Sequence, residues 1–175
     1  MPGKKRLEEA LAELASLRES LRAAGNRERA GLFSCGGCVA WCFREGFNSM
    51  RATPLEAEAA VRLLEEAGTA GKAGERCAET VARWRLDGAP AAPRTYTCTF
   101  LTAGNLCGVH GAKPIGCVTF TPVRDGGCDQ DAARLEEAME RVAALNDAAF
   151  GRGKWRDRPI PVAVAERLAK RRAKP

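Results

Sequence analysis

The sequence predicts a mainly α fold: a small helical domain with irregular cysteine-bearing loops and at most a short hairpin. Leucines recur at helical spacing near the N-terminus, and Thr53-Pro54-Leu55-Glu56 and Asp131 each stand where a helix should start. Most of the eight cysteines fall in segments punctuated by Gly and Pro. At 175 residues the chain is long enough for one domain with a real core, but aromatics make up only 6%, so that core leans on Leu, Val and Ala. A core of that kind gains from an internal staple.

Residues 4–24 place Leu7, Leu11, Leu14, Leu17 and Leu21 at intervals of four, three, three and four, with Glu8, Glu9, Glu13, Ser16 and Glu19 on the wet side. Gly25 is expected to end this N-terminal amphipathic helix, giving a first unit over residues 1–25. Its stripe can pack on its own domain or make a coiled-coil contact with a protein partner or a second copy as a homodimer. Barely three heptads favour the first.

The next stretch, Ser34-Cys35-Gly36-Gly37-Cys38-Val39-Ala40-Trp41-Cys42, has its cysteines three and then four residues apart. A C-x2-C turn points two sulfurs at one centre, and Gly36 and Gly37 can take the positive φ that lets backbone N–H groups face them. If Cys38 to Cys42 continues as one helical turn, the third thiol joins the same side. The fourth ligand must then come from elsewhere, and the domain is expected to be organised around a metal centre.

Thr53 is an N-cap, Pro54 a first-turn residue and Glu56 the completion of a capping box, for a helix running to about Ala67 and stopped by Gly68. Gly68 to Gly74 is expected to be a flexible connection. A second helix then carries Cys77, Val81 and Trp84 on one face, which makes Cys77 a buried small hydrophobe rather than a ligand. The run from Asp87 to Pro93 is too rich in Gly and Pro to be regular and delivers the second cysteine segment.

In that segment Cys98 lies in Thr95–Leu101, and Cys107 follows the Gly104-Asn105 turn, so a short hairpin should bring the two together. Cys117 follows Lys113-Pro114, and Cys128 follows the Arg124–Gly127 turn. Cysteines 98, 107, 117 and 128 are separated by eight, nine and ten residues, with Gly or Pro in each gap. The candidate metal ligands are therefore Cys35, Cys38, Cys42, Cys98, Cys107, Cys117 and Cys128. His110, the one histidine, has a spacing from Cys107 that suits a shared metal, but is more simply read as a hydrogen-bonded structural residue.

Asp131 opens a long helix to about Phe150, with Leu135, Met139, Val142, Leu145 and Ala149 on one face, completing a cysteine-cluster domain over residues 26–150. Residues 151–175 read as a basic C-terminal tail holding a short amphipathic helix through Val164 and Leu168.

Charge and targeting narrow the classes. The net charge is +6, from 28 Lys and Arg against 22 Asp and Glu, with much of the excess at the two ends. Four thiolates on one divalent ion would leave about −2 at the site, which weakens a nucleic-acid reading further. The opening MPGKKRLEEALAEL has no uninterrupted apolar core for a secretory signal, and no stretch reaches the roughly 18 apolar residues of a membrane span. A reducing cytoplasmic setting is expected, where thiols pair with metals more readily than with each other. No G-x-S-x-G, P-loop or H-E-x-x-H occurs, so catalysis would have to run through the metal.

The cluster Cys35, Cys38, Cys42 followed by Cys98, Phe100-Leu101, Cys107-x-Val109-His110, Pro114, Cys117 and Phe120 resembles the YkgJ-like CxxCxxCC family of zinc- or iron-chelating domains, over about residues 31 to 148. Trp41 stands where the first of that family's adjacent cysteine pair would be, and Lys113-Pro114 replaces Arg-Pro. The first segment thus offers three thiols, and Cys98, Cys107 or Cys117 must complete the set. Zinc in a tetrahedral thiolate site would serve folding. Three close cysteines and one distant one equally suit a [4Fe–4S] cluster, and the resemblance extends to flagellin lysine methylases, whose related segment is associated with an iron–sulfur cluster. The expected function is a metal-binding cysteine-cluster protein, redox or structural. The other readings are a methyl- or group-transfer enzyme with an open cluster position, and a zinc-stabilised protein-interaction module.

Overall fold

The computed structural model describes residues 2–28, 48–88, 94–104, 106–122 and 128–173, and these are mainly helical. The helices are α1 (Pro2–Glu28), α2 (Pro54–Glu66), α3 (Ala70–Trp84), α4 (Ile115–Val118), α5 (Ala132–Phe150) and α6 (Ile160–Arg172). Strands are short. β1 (Arg51–Ala52) pairs antiparallel with β4 (Arg158–Pro159), and β2 (Phe120–Pro122) with β3 (Cys128–Gln130). No helix among the described residues is long and apolar enough to cross a membrane.

The leucine stripe folds onto its own domain. Ala10, Leu14 and Leu17 of α1 are buried with Ala138 and Val142 of α5, Leu55 of α2 and Ile115 of α4. A fully buried leucine contributes about 2 kcal/mol. The helix does not stop at Gly25, which is buried within α1. A mid-helix glycine costs only about 1 kcal/mol relative to alanine, and the preceding turn is anchored because Arg22 Nη2 donates to the carbonyls of His110 and Gly111.

α2 lies between two packing surfaces. Leu55 joins the α1–α5 core, whereas Ala57, Ala60, Val61 and Leu64 join a second core with Cys77 of α3 and Ile160, Val164 and Leu168 of α6. Its start is the capping box: Glu56 N donates to Thr53 Oγ1, and Thr53 N donates to Glu56 Oε2 at 2.8 Å. The other Glu56 oxygen accepts from Ile115 N at 2.7 Å, which ties α2 to the turn before Cys117.

Three further expectations need correction. Residues 70–74 are helical rather than a flexible connection. Gly74 serves close packing there, since a Cβ would stand 3.4 Å from Leu168 Cδ1. The segment expected as a basic tail supplies core: Ile160, Ala163, Val164 and Leu168 are buried against α2 and α3 and Val162 against Leu86 and Tyr96, while Arg167 and Arg171 turn in to Glu58 and Lys170 and Arg172 are exposed. Strand pairing also exceeds one short hairpin. The expected 98–107 hairpin is a single antiparallel bridge between Leu101 and Cys107, and the ladders are β1–β4 and β2–β3. The β1–β4 pair joins residues more than a hundred positions apart, which local turn signals cannot announce.

Candidate metal centre

The loop after α3 is anchored before it reaches Cys98. Tyr96 N donates to Asn48 O at 2.9 Å, Asn48 Nδ2 donates back to Tyr96 O at 3.0 Å, and Met50 N donates to Asn48 Oδ1. The fully buried Tyr96 hydroxyl donates to Met50 O and accepts from Ile160 N at 3.1 Å. One tyrosine thereby fixes the chain on both sides of the pocket described next.

From Cys98 the backbone folds into successive tight turns. Leu101 N donates to Cys98 O at 3.1 Å, Gly108 N to Phe100 O at 2.7 Å, His110 N to Cys107 O at 3.1 Å, and Cys117 N to Pro114 O at 2.9 Å. Gly108 eases this close approach, because a Cβ there would sit 3.3 Å from the Phe100 carbonyl oxygen. The outcome is convergence. Cys98, Cys107 and Cys117, each on its own turn, line one small cavity of about 20 Å³ with Met50, Phe100, Val109 and Lys113.

Electrostatics agree with that convergence. Burial pushes the Cys98 thiol up to about 12, the nearby Cys107 adds to the rise, and the backbone N–H groups of Phe100 and Leu101, turned to its sulfur, oppose it. Burial also drives Cys117 well above the ordinary thiol value, with Cys98 and Cys107 adding to the effect and Lys113 opposing it. Amide dipoles and an ammonium group around clustered sulfurs are what a set of thiolates requires, since like charges in an apolar pocket repel. The four cysteines at 77, 98, 107 and 117 are thiols, not disulfides.

Thiol sulfur is the donor type that a thiophilic metal takes. Among the described residues no carboxylate lines the cavity, and soft sulfur ligands in apolar surroundings suit zinc or iron rather than magnesium or calcium. The set is not complete within what is described, however. Among the described residues no group of three or more His, Cys, Asp or Glu side chains is placed so that it could hold a metal ion. Cys35, Cys38 and Cys42 lie outside the described residues, and for Cys128 only the backbone in β3 is described, paired with Pro122.

Of the two residues set apart from the ligand set, Cys77 falls where the sequence put it. Cys77 is fully buried on α3 within the α2–α3–α6 core, its thiol pushed up to about 12 by burial first and by Cys98 second, and it does not line the cavity. His110 is exposed and also absent from the lining, and desolvation, Lys113 and Arg22 together lower its pKa. Sequence reasoning missed Lys113 as a buried cation beside the thiols. Its place in the Lys-Pro pair ahead of Cys117 was the available signal.

No protein-family model matches the chain, and comparison with curated proteins and with solved structures gives no match.

Proposed function

We propose that the chain is a metal-binding cysteine-cluster protein, holding an iron–sulfur cluster or zinc through thiolates of two segments, in a redox or structural role. The observation that carries this reading is the gathering of Cys98, Cys107 and Cys117 at one cavity that no carboxylate among the described residues lines. Cys42 precedes Asn48, which lines the same cavity, by six residues. That length of chain spans at most about 20 Å, which keeps Cys42 within reach of the second segment. The cysteine pattern's similarity to the YkgJ-like family points the same way. The leucine stripe of α1 packs inside the domain, which favours a metal role over an interaction module built on that stripe.

A bound metal would neutralise thiolates that burial otherwise keeps protonated, and its binding free energy would add to the stability of a fold rich in Ala and short of aromatics. Anaerobic purification, a visible spectrum and analysis of iron, sulfide and zinc test the reading. Broad visible absorbance with iron and sulfide identifies a cluster, and colourless protein with stoichiometric zinc identifies the tetrahedral site. Cys98→Ser and Cys38→Ser should each lose most of the metal, whereas Cys77→Ser should keep it. Protein that takes up neither metal refutes the assignment.

A further inference from the structure

Beyond α5 the chain turns back through Gly151 and Gly153, whose φ values of +94° and +70° lie in the left-handed region. This turn lays Lys154, Trp155 and Arg156 along one wall of an open pocket, faced by Arg158 of β4 and by Glu166 and Lys170 of α6. Its volume is about 400 Å³, within the roughly 300–1,000 Å³ of small-molecule sites. The lining carries four cations against one carboxylate.

The neighbouring acids are engaged elsewhere. Asp157 accepts from Arg51 Nε at 2.5 Å, and Asp147 accepts from Trp155 Nε1 at 2.6 Å, which also fixes the indole. Glu166 pairs with Arg158 at 3.6 Å from its Nε, an ion pair too long to be a hydrogen bond, so that buried nitrogen keeps an unused N–H. Lys154, Arg156 and Lys170 form no ion pair among the described residues. Four like charges around a concave surface raise the local anion concentration, and guanidinium groups match phosphate oxygens in pairs. The indole adds an apolar face suited to a planar ring.

We propose that this pocket binds a nucleotide, its phosphates on Arg156, Arg158 and Lys170 and its base against Trp155. The site is separate from the sulfur cavity and does not depend on the metal reading.

Isothermal titration of the purified chain with adenosine 5′-diphosphate, pyrophosphate and adenosine tests this, beside Arg158→Gln, Lys170→Gln, Trp155→Ala and a control on α3, Lys72→Gln. The diphosphate should bind saturably, pyrophosphate more weakly and adenosine not at all. Arg158→Gln and Lys170→Gln should each weaken the diphosphate about tenfold, Trp155→Ala should erase its advantage over pyrophosphate, and Lys72→Gln should change nothing. Melting curves matching the unsubstituted chain confirm that Arg158→Gln and Lys170→Gln remain folded. The proposal is overturned if the unsubstituted chain shows no saturable binding, if Lys72→Gln weakens it equally, or if a short RNA displaces the diphosphate at lower concentration.

Discussion

Glu58 offers the sharpest test of how the helices are held together. Its side chain is 1% exposed, yet it takes hydrogen bonds from Arg62 Nε at 2.9 Å, from Arg171 Nη2 at 2.6 Å and from Arg167. Arg62 continues to Glu8 of α1 through two bonds of 2.7 Å, and Arg171 to Glu65, so a single carboxylate ties α1, α2 and α6. Burial alone would raise its pKa. The hydrogen bonds from Arg171, Arg167 and Arg62 outweigh that and bring it from 4.5 to about 2. A drop of this size corresponds to about 3 kcal/mol of folding free energy.

Because the folded value is the lower one, that contribution is complete above the unfolded pKa and drains away as pH falls through the folded one. Glu58→Gln keeps the shape but faces three guanidinium groups with a neutral amide. It should cost about 3–5 kcal/mol at neutral pH, in line with breaking a buried pair. Urea unfolding followed by far-ultraviolet circular dichroism, run on both chains at pH 7 and near pH 2, measures it. Both chains carry the same cysteines, so acid effects on the sulfur centre cancel in the difference. The reasoning fails if E58Q lies within about 0.5 kcal/mol of the unsubstituted chain at pH 7. It fails equally if the gap between them stays undiminished in acid.

Other substitutions separate packing from metal. Leu14→Ala, at a fully buried position facing α5, should cost about 2–5 kcal/mol and speed amide exchange along α1, as read by mass spectrometry. Cys77→Ser buries a hydroxyl in the α2–α3–α6 core and should cost about 1–3 kcal/mol in urea titrations with metal content unchanged; metal loss equal to that of Cys38→Ser would make Cys77 a ligand. Tyr96→Phe removes the bonds to Met50 O and Ile160 N and should cost about 1–3 kcal/mol, measured by thermal unfolding.

Signals written locally were legible in the sequence. The capping box of Thr53 and Glu56, the Asp131 cap and the leucines of α1 each act within one or two turns, and all three stand as expected. Cys77 was legible for the same reason, since i, i+4 spacing set it on the buried face of α3. Gly25 and Gly74 misled because a glycine's cost depends on what packs beside it, here a partner helix in the case of Gly74. α6 was read as a tail because its many cations hid the buried row of Ile160, Val164 and Leu168. Within the candidate site, the turns bearing Cys98, Cys107 and Cys117 were legible, but their meeting point was not. The Asn48–Tyr96 pairing and the β1–β4 ladder that position it join distant stretches of chain with no periodic pattern to betray them.

The phenol of Tyr96 has a reach beyond its own two bonds. It stands where the strand leading into α2 meets the first residue of α6, two positions ahead of the Cys98 thiol. On the proposed metal role, binding at the sulfur cavity should register in solvent exchange at the Ile160 amide. The C-terminal helix would then serve as a remote gauge of events at the thiols, although it contributes no sulfur of its own.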